Sequence, residues 1–304
     1  MELTRRRFLG SLGASAAAGC AHVRDGSARA SAKARVAPTF SLLDDEKVVM
    51  HVGGLAGPVR LVVAGDTHFA FHDGRDAAYE PYFRRMAQWP APADVLRRTF
   101  AHAREIDADL VLLVGDTMSF PTLANVERVE KDLAEGGVPW LYTAGNHDWN
   151  FEGEPGSDRE RRAKWVGTRM RGLFQGENPW MYSRVVKGVR VVMIDDSLNE
   201  IAPEQLAFWR SEIEKGDPTV LCVHIPIWMP GISDDYCGWD YPTRTDRTTA
   251  TTQAFRESVV SAQNLVCLFA GHHHKWMVSQ DRGAVQFSVP RHLDGLHADA
   301  ELLP

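Results

Sequence analysis

Leu110-Val111-Leu112-Leu113-Val114-Gly115-Asp116 sets an unbroken apolar run of strand length against a Gly-Asp stop. A run this short, rich in Val and closed by Gly, reads as a strand buried on both faces rather than as a helix. The same grammar recurs on either side. Val59–Ala64 closes in Gly65-Asp66-Thr67-His68, and Pro139–Thr143 leads to Gly145-Asn146-His147-Asp148. Between these runs, Pro92–Ile106 has helical spacing with Leu96, Phe100 and Ala103 on one face, and Ala124–Glu135 reads as a second helix. Alternation of strand and helix predicts α/β units around a largely buried sheet.

The second half changes rhythm. Trp180–Val186 and Val189–Ile194 read as a hairpin across Lys187-Gly188, and Pro203–Lys215 as a helix with Pro at its start and Gly216 at its end. Val220–His224 is expected as a strand, Ala254–Ala262 as a helix, and Leu265–Ala270 as a strand closing in Gly271-His272-His273-His274. Trp276–Gln280 and Ala284–Val289 form a last hairpin. Thr39–Leu43 and Lys47–Val52 form an early one around Asp44-Asp45-Glu46. Glu152–Arg162 and Pro230–Thr252 read as loops.

Bulk properties place few limits. The 304 residues are 44% hydrophobic and 24% charged with a net charge of −6, as in an ordinary soluble protein, and no basic stripe invites nucleic acid. The N-terminus differs: Thr4-Arg5-Arg6-Arg7-Phe8-Leu9, followed by a mildly apolar stretch to Ala18, resembles a twin-arginine export signal. Residues 1–37 are therefore expected to be signal and flexible tether, with the domain over 38–304. Ala17-Ala18-Gly19-Cys20 resembles a lipoprotein box that would lipidate Cys20; the competing cleavage site is Ala28-x-Ala30, which would release a soluble product. The lipid anchor is the favoured expectation, with a periplasmic or membrane-anchored protein and the twin-arginine machinery as export partner. Cys222 and Cys267 lie in apolar runs as small hydrophobes, and no disulfide is expected from them and Cys237.

Five strand ends stop in residues of metal-ligand type: Asp66 and His68, Asp116, Asn146, His224, then His272 and His274. In α/β sheets ligands bind beyond the carboxyl ends of the strands, where residues distant in sequence converge. Singly, Gly-Asp is an ordinary turn and a lone His an ordinary structural residue. Five in series, each after an apolar run, point to a metal centre. Carboxylate, amide oxygen and imidazole without thiolate suit hard to borderline ions and argue against a structural zinc knot.

Gly-Asp66-x-His68, Gly-Asp116, Gly-Asn146-His147-Asp148, His224 and Gly-His272-x-His274 resemble the blocks of the calcineurin-like metallophosphoesterases, over about residues 59 to 290, with the bacterial phosphodiesterase branch nearest. The resemblance implies a four-layer αββα sandwich of two mixed β-sheets flanked by helices. It implies that Asp66, His68 and His274 hold one metal, that Asn146, His224 and His272 hold a second, and that Asp116 bridges them. The ions would be divalent or trivalent (Mn, Fe or Zn), and a hydroxide bound to them would attack a small phosphomonoester or phosphodiester. His147 would face the substrate as proton donor to the leaving oxygen or as a stabiliser of charge on the phosphoryl group, and imidazole suits either task. Many members carry an Asp three positions after the bridging Asp to orient this His; Ser119 stands there in this chain, so either Asp148 or another group orients His147 or its proton-donor role is weaker.

Weaker expectations concern the remainder. His273 would point away from its two neighbours if the backbone were extended. Asp195 and Asp196 read as turn residues ahead of a hydrogen-bonding role toward a ligand His. Arg75, Tyr82, Tyr241 and Arg244 read as surface residues, while Trp149, Trp228 and Trp239 are candidate pocket walls; His51, His72, His102, His292 and His297 carry no motif. Against the hydrolase stands a non-catalytic metal-binding surface lipoprotein, which would have no need of a non-ligating His147. An amidohydrolase barrel would open with its His-x-His pair, which here comes last.

Overall fold

Alternate residues of the second-half strands face two different apolar layers. Val191 and Met193 belong to one buried cluster with Val220, Cys222, Cys267 and Phe269; Val192 and Ile194 belong to another with Leu221, Leu268, Trp209, Phe255 and Val259. The period of two along a strand sends successive side chains to opposite faces, so apolar residues throughout mean burial on both. The computed structural model describes residues 39–42, 46–83, 91–230 and 249–304. Residues 1–37, expected as export signal and tether with Cys20, lie outside the described residues, as do Trp239, Tyr241, Arg244 and Cys237.

Among the described residues twelve strands alternate with helices: β1 (Thr39–Leu42), β2 (Lys47–His51), β3 (Val59–Ala64), α1 (Glu80–Phe83), α2 (Val95–Glu105), β4 (Leu110–Val114), α3 (Leu123–Ala134), β5 (Trp140–Thr143), α4 (Asp158–Gly167), β6 (Met181–Val186), β7 (Val189–Ile194), α5 (Pro203–Ile213), β8 (Thr219–Cys222), α6 (Ala250–Ser261), β9 (Leu265–Ala270), β10 (Met277–Asp281), β11 (Ala284–Ser288) and β12 (Ala298–Leu303). They form two six-stranded sheets, ordered β1-β2-β12-β3-β4-β5 and β10-β11-β9-β8-β7-β6. Both are mixed: β3, β4 and β5 run parallel, as do β7, β8, β9 and β11, with antiparallel strands flanking them. The expected architecture of two mixed sheets flanked by helices is thus the one observed.

Besides the single turn α1, two longer elements were not anticipated. Asp158–Gly167 is a helix, although its charge made residues 152–162 read as a loop. Its start is fixed by Ser157, whose hydroxyl accepts from the Glu160 amide while Glu160 accepts from the Ser157 amide, a reciprocal capping box. The C-terminal strand β12 inserts between β2, to which it runs parallel, and β3, to which it runs antiparallel. Its Ala298, Ala300 and Leu302 are buried in alternation with half-exposed Asp299, Glu301 and Leu303. In its absence the β1-β2 hairpin would have no ladder to β3.

A candidate dinuclear metal centre

The carboxyl ends of β3, β4, β5, β8 and β9 deliver the expected ligands to one place. The β3–β4 ladder continues past both strands: Asp66 N–H donates to the Gly115 carbonyl at 3.0 Å, His68 N–H to that of Asp116 at 2.8 Å, and Phe69 N–H to that of Thr117 at 3.0 Å. Asp66, His68, Asp116, His272 and His274 all have positive φ, between 51° and 68°. L-residues with a Cβ adopt this region at a cost, and its recurrence among ligands marks a backbone turned to aim side chains inward. Gly115 has φ 84°, and a Cβ there would come 2.7 Å from Cγ of the His224 ring.

The donor atoms form two groups. In one, His68 Nε2 is 3.1 Å from His274 Nε2, which is 3.3 Å from Asp66 Oδ1. In the other, His224 Nε2 is 3.1 Å from Asp116 Oδ2, 3.2 Å from Asn146 Oδ1 and 3.3 Å from His272 Nδ1. Asp116 Oδ2 also lies 3.9 Å from His68 Nε2, so one oxygen faces both groups. Its Oδ1 is engaged elsewhere, accepting the His147 N–H at 2.8 Å. All seven residues expected as ligands converge, and Asp116 Oδ2 lies between the two groups.

The chemistry of these donors fits metal ions. His224 donates from Nδ1 to the Val114 carbonyl at 2.8 Å, which fixes the tautomer and turns the Nε2 lone pair toward Asp116 and Asn146. Lone pairs so close repel unless a cation stands among them. Among the described residues, neither Asp66 nor Asp116 pairs with a Lys or Arg. Burial opposes ionisation of Asp116, yet His224, His147 and His68 outweigh it and hold the carboxyl well below its usual range. Burial likewise disfavours charge on His224, but Asp116 overrides it and lifts that imidazole's pKa to about 10. The carboxylate thus favours positive charge at this point. Burial drives His68 down to about 4 and His272 well below its ordinary value, keeping both neutral, the form that ligates.

Backbone amides hold the ligand loops. Asp148, wholly buried, accepts from Met118 N–H at 2.7 Å through Oδ1 and from Gly145 N–H at 2.8 Å through Oδ2, bracing the Asp116 loop to the Asn146 loop. Ser119 donates from Oγ to the His68 carbonyl at 3.1 Å. Neither residue therefore orients His147. The His147 ring is half-buried and stands edge-to-face with His68, centroids 5.0 Å apart; among the described residues no side chain hydrogen-bonds to it.

Other expectations are amended. Asp196 is more than a turn residue, since its Oδ1 accepts the amides of His224 and Ile225, both at 3.0 Å, holding a ligand by its backbone rather than by its ring. Asp195 pairs with buried Arg162, whose guanidinium lies 3.3 Å from the centre of the Trp180 ring. Trp149 is no pocket wall: it is 2% exposed and donates to Ser197. Trp228 stacks with Arg256 and accepts its Nε at the backbone carbonyl. The extended backbone assumed for His273 is not present, because its neighbours have positive φ. Arg75 pairs on the surface with Asp73 and Glu127.

Residues 59–276 match the family model of the calcineurin-like phosphoesterases, well over half the chain. The chain belongs to that family. Its domain is that of a metal-dependent phosphoester hydrolase, and calcineurin-like phosphoesterases typically hold two divalent metal ions, in keeping with the two donor groups here. A probable cyclic nucleotide phosphodiesterase of Synechococcus sp. is 28% identical over 196 residues, covering 62% of this chain and 66% of that protein, just under two thirds of the relative's length. A dimetal phosphatase from Danio rerio shares the fold with a TM-score of 0.56 at 14% identity, over 81% of this chain and 93% of that one.

Proposed function

We propose that the chain is an exported phosphodiesterase that cleaves a small phosphodiester with two metal ions. The observation that carries this reading is Asp116 Oδ2, which faces both donor groups while Oδ1 holds the backbone of His147 beside them. Asp66, His68 and His274 would hold one ion, Asn146, His224 and His272 the other, with Asp116 shared. Bound there, such ions would lower the pKa of a water and withdraw charge from the phosphoryl oxygens. The chain supplies the rest. The His147 ring, half-buried and free of other side-chain hydrogen bonds among the described residues, can hand a proton to the leaving oxygen as the phosphorus–oxygen bond breaks and water's oxygen bonds to phosphorus. The name of the Synechococcus relative supports a diester over a monoester.

Turnover of matched chromogenic diesters and monoesters, with and without chelator and after refilling with Mn, Fe or Zn, tests this. Diester turnover lost to chelator and restored by metal is expected. Turnover unchanged without metal would remove the mechanism, and turnover of monoesters alone would remove the diester assignment. A non-catalytic metal-binding lipoprotein would turn over neither, and the position of His147 argues against it.

Export rests on Thr4-Arg5-Arg6-Arg7-Phe8-Leu9 and anchoring on Cys20. With Arg5→Lys and Arg6→Lys together the protein should remain in the cytoplasm, and Cys20→Ser should release it from membranes. An unaltered distribution in either case counts against that step.

A further inference from the structure

A second group of metal-type donors lies outside the centre. His102, in the last turn of α2, approaches Asp299 on β12, its Nε2 3.0 Å from each carboxylate oxygen. His297, just before β12, brings its Nε2 within 3.9 Å of Asp299 Oδ1, and its ring centroid is 4.6 Å from that of His102. One donor atom from each of the three lies within 4.8 Å of the others.

A plain hydrogen bond accounts for His102 and Asp299 but not for His297, which stands beyond hydrogen-bond reach of the carboxylate. Asp299 ion-pairs with no Lys or Arg among the described residues. Nitrogen donors sit about 2.0–2.1 Å from zinc, so donors around one ion stand roughly 3–4 Å apart, and this group needs only a small closure to match. The side chains are 30%, 20% and 22% exposed, which leaves room for water ligands and for entry from solvent. The helix end adds a favourable field, since C-terminal carbonyls attract cations.

We propose that His102, His297 and Asp299 form a third metal site, separate from the catalytic pair, that takes one borderline divalent ion such as Zn²⁺. Two imidazoles and a carboxylate with open positions suit first-row ions late in the divalent series and offer little to Mg²⁺ or Ca²⁺. The ion would clip α2 to β12, the strand that ties the first hairpin to the sheet. One turn before His102 on the same helix, Thr99 meets buried His292 Nε2 at 2.6 Å, and His292 Nδ1 meets Thr67 Oγ1 at 2.7 Å, between Asp66 and His68.

The test is a metal count on chelator-stripped full-length protein after dialysis against Zn²⁺ in excess of all three sites. Wild type should retain one ion per chain more than His102→Gln, His297→Gln or Asp299→Asn. Equal counts in wild type and folded variants overturn the site, whether or not the catalytic pair fills. Turnover by the variants should stay within about twofold of wild type, as expected of residues that do not contact the reacting atoms. Imidazole ¹⁵N resonances of His102 and His297 in the wild-type protein give a reading that needs no variant. Both should move on zinc addition, and resonances that stay still overturn the proposal.

Discussion

Gly145 and Asp116 share a space that admits no further carbon. A Cβ on Gly145 would come 2.7 Å from Cγ of Asp116 and collide with both its Oδ1 and its backbone nitrogen. That carboxylate cannot move aside, because Oδ1 accepts from His147 and Oδ2 faces His224 and His68. Gly145→Ala should therefore leave the circular dichroism spectrum intact while lowering metal content and cutting turnover on the order of a hundredfold, as displacements near 1 Å do. Gly167→Ala, where a Cβ meets nothing within 4 Å, is the control and should change neither. Full activity in Gly145→Ala would show that the loop yields.

His147→Gln separates ligation from proton transfer. His147 touches the centre through its backbone amide and its ring's edge, not as one of the converging donors. Metal content should hold, and turnover should fall by about 10²–10⁴, the usual range for a general acid. The loss should be greatest with alkyl leaving groups and smallest with nitrophenol, which departs without a proton. A uniform loss across leaving groups would assign His147 to binding instead.

Asp148→Asn disturbs a brace rather than a ligand. Two carboxylate oxygens accept two amides, from Met118 and Gly145; an amide side chain can accept only one and opposes the other with its own N–H. An unpaired buried donor costs about 1–3 kcal/mol, to be read from the denaturant midpoint. Turnover should drop as well, since both ligand loops lose their spacing. An unchanged midpoint would mean that the amides find other partners.

Asp196 gives the fold a pH dependence of unusual sign. Burial is the chief cause that raises its pKa from 3.8 to about 7, only partly opposed by the amides it accepts. Between those values the folded chain keeps a proton that the unfolded chain has lost. Its contribution to stability is therefore full below about pH 4 and fades as pH rises through 7. Asp196→Asn keeps Oδ1 for both amides but cannot titrate. In chelator, its unfolding midpoint relative to wild type should rise between about pH 5 and about pH 8. A constant gap would sink this account.

The convergence of the seven candidate donors was legible because each follows an apolar run of strand length, and because strand ends are where such sheets gather side chains. What supports the set was not. Sequence shows that Asp148 is near His147 but not that its oxygens turn to backbone amides of two loops. The helix at Asp158–Gly167 was obscured by its charge, although Ser157-x-x-Glu160 announced its start. Strand β12 was passed over because a short Ala-Asp-Ala-Glu alternation carries little hydrophobic signal until neighbouring strands bury one face. His102 and Asp299 are 197 positions apart and meet only through the packing of α2 on the first sheet.

Five of the seven donors hold their side chains on backbone that favours glycine: Asp66, His68, Asp116, His272 and His274. Relief of such a conformation is worth about 1–2 kcal/mol per residue. A library of this chain selected only for survival on heating, in chelator and with no substrate offered, should therefore accumulate glycine at these positions. The survivors would be sturdier proteins with no reaction to perform. Heat resistance and hydrolysis pull in opposite directions at the same five codons, and an engineer seeking both must leave those codons alone and look for stability elsewhere.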